Sequence, residues 1–178
     1  MFKKQWKEDM IYLITYKPEI GYDFGPGIVY EKLFKRNGKL HNVGFPAEII
    51  YDEDGNILRE TYYSDGKKHN PLGGEPAAIW YFENGNIMGR EYYLDGKKHK
   101  SDGPAADRYY EDGNIKYKEY WCEGKLHKED GPAYIHYYEN GNIENEEYRL
   151  EGKKHKSDGP AVILYYPDGN IQYEEYWL

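Results

Sequence analysis

The tripeptide Gly-Asn-Ile recurs five times in this chain of 178 residues. Its copies begin at Gly55, Gly85, Gly113, Gly141 and Gly169, so successive copies are 30, 28, 28 and 28 residues apart. A fixed period of this size is typical of an array of stacked units and argues against a single globular core. The period therefore predicts the architecture, although it says little about the activity that the array supports.

Two further patterns keep the same register and mark where each unit begins. The pattern Gly-Lys-x-His ends at His41, His69, His99, His127 and His155. The pattern Gly-Pro-Ala, degenerate in its first two copies, places a proline at Pro46, Pro76, Pro104, Pro132 and Pro160. We therefore count five units, and an insertion at residues 70–73 explains the single spacing of 30.

Each unit contains two short runs rich in Tyr, Ile and Trp, such as residues 133–138 and 115–121. Both runs end at an Asp-Gly, Asn-Gly or Glu-Gly pair, the pattern of strands joined by hairpin turns. We predict an all-β fold, an elongated antiparallel meander of about five 28-residue units with two strands each. At about 4.8 Å per strand, each unit would lengthen the ribbon by roughly 10 Å.

Composition supports a thin, aromatic core spread along this ribbon. The chain has 22 Tyr and 4 Trp, a net charge of -8 and a mean hydropathy of -1.03. Aromatic rings bury a large area while they keep a polar group near water. The tyrosines of the first strands, which recur in every unit, are expected to form a buried ladder: Tyr51, Tyr81, Tyr109, Tyr137 and Tyr165.

Residues 1–25 lie outside the repeat and are predicted to cap one end of the array, which covers residues 26–178. The single cysteine, Cys122, excludes an intramolecular disulfide and a cysteine zinc site. The apolar run at residues 10–14 is too short for a leader, and no run reaches transmembrane length. We therefore expect a cytoplasmic protein that does not bind membranes.

Residues 165–176, Tyr-Tyr-Pro-Asp-Gly-Asn-Ile-Gln-Tyr-Glu-Glu-Tyr, resemble a MORN (membrane occupation and recognition nexus) repeat. The resemblance is closest to the variant form found in bacterial and large-virus proteins, some of them antitoxin-like. It extends from about residue 44 to 178, with a shortened copy at residues 26–41. It implies an elongated antiparallel sheet that acts as an interaction scaffold, and it implies no catalytic residue.

The row of histidines is a tempting metal site, but its spacing opposes this hypothesis. Zinc holds its nitrogen ligands about 2.1 Å away, whereas equivalent residues of neighbouring units would lie roughly 10 Å apart. We expect each histidine to close its link by hydrogen bonds to backbone or to Asp102, Asp130 or Asp158. No catalytic triad, phosphate loop or nucleotide motif is present, so no cofactor or enzymatic activity is predicted.

Charge differs between the two kinds of turn. The first turns are acidic, as at Glu111 and Asp112, and the second links carry lysines, as at residues 97–100. In a meander they would line opposite edges of the ribbon. A basic edge with exposed tyrosines could bind single-stranded nucleic acid, but the net charge of -8 argues against this.

Comparison of the units separates constant from variable positions. Ala and Tyr recur at the first and fifth places after the proline, whereas the fourth place holds Ile50, Trp80, Arg108, His136 and Leu164. Because alternate residues of a strand face opposite ways, one face is constant and the other is individual. The candidate binding residues are Trp80, Arg108 and His136, extended by Trp121 and Trp177, since such side chains dominate interface energies.

The sequence thus predicts a non-enzymatic scaffold that binds a macromolecule, in the first place a protein, across an extended sheet face. Three alternatives remain open: a purely structural array, a phage or viral inhibitor whose acidic edge occupies a basic groove, and a single-strand binder. The identity of the partner and the oligomeric state cannot be deduced from the residues.

Overall fold

The computed structural model describes residues 11–18, 28–71 and 74–177. All regular elements within these residues are β-strands, so this part of the chain contains no helix that could cross a bilayer. The strands are β1 (Ile11–Pro18), β2 (Ile28–Arg36), β3 (Lys39–Leu40), β4 (Glu48–Tyr51), β5 (Ile57–Thr61), β6 (Tyr63–Ser64), β7 (Lys67–Lys68), β8 (Ala78–Tyr81), β9 (Ile87–Glu91), β10 (Tyr93–Leu94), β11 (Lys97–Lys98), β12 (Ala106–Tyr109), β13 (Ile115–Glu119), β14 (Trp121–Cys122), β15 (Lys125–Leu126), β16 (Tyr134–Tyr137), β17 (Ile143–Glu147), β18 (Arg149–Leu150), β19 (Lys153–Lys154), β20 (Val162–Tyr165) and β21 (Ile171–Glu175).

One antiparallel sheet runs through the array in the order β1-β2-β4-β5-β8-β9-β12-β13-β16-β17-β20-β21, with β3 paired to β2. This meander confirms the predicted fold class, with two sheet strands in each unit. The first turns and the second links lie on opposite long edges of the ribbon, which we call the turn edge and the link edge. Ile11–Pro18 pairs with β2, and most of the predicted 1–25 cap falls outside the described residues.

Each first turn combines a β-bulge with a glycine in the left-handed region. The register between the two strands shifts once per unit, for example between Arg108 and Tyr109. Gly113 has a φ of 88° and Gly141 a φ of 84°. The preceding side chain closes the turn, since Asp112 accepts hydrogen bonds from the backbone and side-chain nitrogens of Asn114. An extra residue and a positive φ explain why Asn-Gly-type pairs recur here.

A short separate hairpin follows the second strand of units one to four, whereas the sequence analysis placed its turn between two strands of the main sheet. The predicted second strand ran through Trp121, but the sheet strand ends at Glu119 and Trp121 begins the separate pair β14–β15. The turn residues Glu123 and Gly124 both have positive φ, at 50° and 81°. Two consecutive left-handed residues define a type I′ turn, whose twist suits a two-residue hairpin.

The core follows the link edge. Five alanines, one after each unit's proline, are fully buried: Ala47, Ala77, Ala105, Ala133 and Ala161. The backbone of each alanine forms hydrogen bonds to the segments on both sides of it. For example, Ala105 N–H donates to Glu119 O, and Ala105 O accepts from Tyr92 N–H. The expected buried ladder of Tyr51, Tyr81, Tyr109, Tyr137 and Tyr165 was wrong, because these residues are only half-buried in a single-layered sheet.

Candidate binding surface

The variable positions form one row across the sheet. Residues directly opposite each other in an antiparallel pair share a face. From β5 to β21 this row comprises Arg59, Trp80, Gly89, Arg108, Tyr117, His136, Asn145, Leu164 and Tyr173. We call it the variable row, and its side of the sheet the variable face. The structure thus places Trp80, Arg108 and His136 on one face, each two strands from the next.

A glycine in this row brings two of the candidate residues into contact. Gly89 lies between Trp80 and Arg108, and a Cβ atom there would meet Arg108 Cδ at 2.2 Å. Because Gly89 has no Cβ, the Arg108 side chain crosses this position, and its guanidinium carbon lies 4.1 Å from the centre of the Trp80 ring. Stacking of this kind stabilises by roughly 0.5–2 kcal/mol. The Arg108 side chain is only 17% exposed, so it packs against its own sheet as well as facing solvent.

Aromatic contacts continue the row beyond Arg108. Tyr117 has its ring centre 6.0 Å from the Arg108 guanidinium carbon and 6.5 Å from that of His136. Tyr134 stacks on His136, with ring centres 6.4 Å apart and planes 6° apart, and His136 Nδ1 contacts Glu144. Side chains from four strands therefore form one connected strip. From the sequence, we expected separate side chains about 10 Å apart instead.

A line of glutamates flanks the variable row on the side of the link edge: Glu48, Glu91, Glu119, Glu147 and Glu175. The hairpins fold over these carboxylates on the variable face. Glu91, for example, accepts a hydrogen bond from Tyr93 and lies 3.1 Å from Lys98 Nζ. The hairpin side chains thus neutralise carboxylates that the sheet would otherwise leave buried and unpaired.

Electrostatics along this line are dominated by burial and by close opposite charges. Burial by itself raises the pKa of Glu91, but Lys98 and Arg108 outweigh it and the net shift is downward from 4.5. Burial, reinforced by Glu119, raises the pKa of Tyr134 to about 12. At neutral pH the glutamate is therefore ionised and the phenol is protonated, so Tyr134 can donate a hydrogen bond to a ligand.

Trp121 and Trp177 occupy equivalent places beside the glutamate line. Trp121 Nε1 donates to Glu119 Oε2 at 2.8 Å, and Lys98 Nζ lies 5.1 Å from the Trp121 ring centre. Trp177 lies 5.6 Å from Lys154 Nζ and is 47% exposed. Both tryptophans border the variable face, and Trp177 is more exposed to solvent than Trp121.

The histidine row connects one unit to the next. Nδ1 of His41, His69, His99 and His127 accepts a hydrogen bond from the backbone N–H of the following hairpin's turn residue, at 3.1–3.3 Å. The donors are the backbone N–H groups of Asp65, Asp95, Glu123 and Glu151, so the expected hydrogen bond to backbone is confirmed, and the alternative partners Asp102, Asp130 and Asp158 are not the ones used. Within residues 11–18, 28–71 and 74–177, no cluster of side chains has the composition of a metal site.

The link edge contains clefts that the sequence analysis did not anticipate. The links are the segments from each histidine to each buried alanine, numbered one to five: 41–47, 69–77, 99–105, 127–133 and 155–161. A cleft of about 350 Å³ lies between links three and four, and one of about 360 Å³ between links four and five. Lys100 and Lys128 line the former, and Lys128 and Lys156 the latter. The lysine that directly follows His99, His127 and His155 is the signal that could have located them.

Comparison with known protein families agrees with this geometry. Four segments match the MORN repeat variant, residues 47–67, 77–95, 133–149 and 161–178. These four segments of the chain are therefore similar to MORN-variant repeats, which are a repeat scaffold fold. The third unit folds like the others although it lies outside the matched segments. No curated protein and no solved structure showed a significant match.

Proposed function

We propose that this protein is a non-catalytic scaffold that binds an extended segment of a protein partner across the variable face. The observation that carries the proposal is the continuous strip formed by Trp80, Arg108, Tyr117 and His136 in an otherwise repeated sheet. A position that only maintained the fold would be repeated in every unit, as the buried alanines are. Aromatic and arginine side chains in a packed strip are also the usual centres of interface energy.

The strip fits a protein better than a nucleic acid. The net charge of -8 opposes the binding of a phosphate backbone, whose neutralisation supplies most of a nucleic-acid binder's affinity. Tyr117 and Tyr134 offer ring faces and hydroxyls to a partner's side chains. Binding by such a surface would depend only weakly on salt concentration. The proposal keeps the cytoplasmic location predicted from the sequence, in which the single thiol of Cys122 stays reduced.

Site-specific photocrosslinking in the native host tests the proposal. A benzophenone amino acid would replace Tyr117 or Leu164 in the variable row, and Lys118 or Glu146 on the opposite face as matched controls. We expect the same protein to be captured from both row positions and from neither control. Trp80→Ala should then weaken capture at a temperature where circular dichroism shows the variant to be folded. Equal capture from both faces would contradict the proposal.

A second candidate is a phage or viral inhibitor, antitoxin-like, that occupies a basic groove. The supporting observation is that the turn edge exposes carboxylates in every unit, among them Glu53, Asp54, Glu111 and Asp112. Replacement of these four by Asn or Gln should abolish inhibition of such a target at low salt. Under the first proposal the same variant would keep its capture pattern, so the two candidates are separable.

A further inference from the structure

The lysines of the last three links differ from those of the hairpins. Lys97 and Lys125 lie 3.4 Å and 3.1 Å from Glu123 and Glu151 of the next hairpin. By contrast, within the described part of the chain no carboxylate lies within 4 Å of the ammonium groups of Lys100, Lys128 or Lys156. Lys97 and Lys125 are therefore paired with carboxylates, whereas the three link charges are available to a ligand.

A tyrosine fixes the position of each of these three link lysines. The ammonium nitrogens of Lys100, Lys128 and Lys156 lie 4.0, 3.9 and 3.8 Å from the ring centres of Tyr92, Tyr120 and Tyr148. A cation held on an aromatic face loses less conformational freedom when it binds an anion. Because each link belongs to a successive unit, the three charges are spaced by roughly 10 Å along the link edge.

The acidic side chains of the clefts restrict what can bind. Glu129 lines both clefts, with its side chain 83% exposed, and Asp158 lines the last one. A continuous polyanion would place uncompensated charges against these carboxylates between the lysines. A peptide in the extended polyproline II conformation advances about 3.1 Å per residue and completes a turn in three residues, so every third side chain lies on the same side at a spacing that matches one unit of the array. Acidic side chains at every third residue would meet the lysines and leave neutral residues opposite Glu129 and Asp158.

We propose that the link edge is a second binding site, distinct from the variable face, for an extended peptide with acidic side chains at every third residue. Lys100, Lys128 and Lys156 pair with three successive carboxylates, and the two clefts hold the residues between them. The site is confined to the last three links. In links one and two the lysine is replaced by Asn42 and Asn70, whose side chains bond to the protein's own backbone.

Fluorescence anisotropy with labelled synthetic peptides of roughly ten residues tests this site. One probe has glutamate at every third position and serine elsewhere; a second has the same composition with its glutamates adjacent. A single-stranded oligothymidylate of similar length is the third probe. We expect the periodic peptide to bind most tightly. Replacing Lys100, Lys128 and Lys156 together by Gln should weaken it about tenfold, as the summed effect of three exposed ion pairs.

The matched control is the triple replacement of the hairpin lysines Lys97, Lys125 and Lys153 by Gln, which makes the same change in net charge. This variant should bind the periodic peptide as the wild type does. Equal loss in both triple variants would show attraction by net charge alone and would overturn the proposal. So would tighter binding of the adjacent-glutamate peptide or of the oligothymidylate, or no binding of the periodic peptide by the wild type.

Discussion

Glu91 and Glu175 hold the same place in the second and fifth units, yet their surroundings differ. Glu91 is 8% exposed and lies within 4.0 Å of Lys68, Lys98 and Arg108, which come from three other elements. Glu175 pairs with Lys154 at 2.7 Å, on the last sheet strand. Its neighbours Tyr173 and Trp177 are 50% and 47% exposed. An interior unit thus receives side chains from the units on both sides. The glutamate at this place is therefore buried among several cations in the second unit and lies near the surface in the fifth.

The largest expected effect that separates these two regions is the loss of the interior carboxylate. Glu91→Ala would leave Lys68, Lys98 and Arg108 without their shared partner, at a cost of about 3 kcal/mol in the free energy of unfolding. Glu175→Ala should change stability little, since Lys154 can turn to water. Chemical denaturation of both variants measures the difference, and equal losses would show that unit position does not control burial.

Acid titration sharpens the same comparison. The pKa of Glu91 is lowered in the folded state, so its contribution is complete above the unfolded value near 4.5 and is lost as pH falls through the folded pKa. We expect wild-type stability to fall below about pH 4.5. The isosteric Glu91→Gln variant should show a shallower fall, and a parallel profile for the two proteins would argue against this role.

A second substitution should act alike in both regions. Gly85 and Gly169 have φ of 81° and 88°. A Cβ atom at either position would have no neighbouring side chain or backbone atom within 4 Å. Replacement by Val should therefore cost roughly 1–2 kcal/mol at each site through backbone strain alone, and replacement by Asn clearly less. Thermal melts of the four variants would measure this. A large difference between Gly85→Val and Gly169→Val would mean that neighbouring units also control the turns.

The histidine row provides a smaller contrast between interior and end. Nδ1 of His127 accepts the Glu151 N–H at 3.1 Å, whereas the described residues include no further hairpin for His155 to accept from. His127→Ala should cost about 1 kcal/mol, the usual net value of a lost hydrogen bond, and His155→Ala less. Amide exchange of the Glu151 N–H should also speed up in the first variant. Unchanged exchange would show that the hydrogen bond is not maintained in solution.

The smallest expected effect concerns the close approach of Arg108 to Gly89. Gly89→Ala should displace Arg108 from Trp80, at a cost of about 0.5–1 kcal/mol from the lost stacking. A fall in Trp80 fluorescence anisotropy would report the freed ring, measured in a variant whose other tryptophans are replaced by Phe. Asn145→Ala, at the equivalent place of the fourth unit, is the control and should leave Trp80 unchanged.

Much of the fold could be predicted because every unit repeats the same local signals. Each signal predicts one kind of element: a turn at every Gly-Asn-Ile, a strand start at every opening proline and a strand at every Tyr-rich run. The order of these elements predicts the meander. The hairpin turns were predicted, but the separate hairpins were not, because a run such as residues 115–121 shows no break between the sheet strand and the two-residue strand that follows it. The buried tyrosine ladder was wrong because a single-layered sheet has no second layer to cover Tyr109 or Tyr137.

The candidate site was predictable in place but not in geometry. The fourth position of each first strand varies, and alternation along a strand is enough to assign Trp80, Arg108 and His136 to one face. The sequence analysis did not assign a role to Gly89 or Tyr117, because both belong to second strands and meet the first strands only through the register. By sequence, the lysines of the link edge were likewise indistinguishable from hairpin lysines such as Lys97 and Lys125, which the structure shows to be paired.

By itself, the sequence determined the number of units, their period, the sites of the turns and which positions vary, since these depend on local backbone preferences and on counting. The tertiary structure decided which side chains meet. The cross-strand register placed Arg108 over Gly89. Contact between neighbouring units buried Glu91, whereas Tyr173 on the last sheet strand stayed exposed. The position of each hairpin determined which lysines lie beside a carboxylate, as Lys98 lies beside Glu91. These outcomes depend on residues about one repeat apart, and no local preference encodes a contact over that distance.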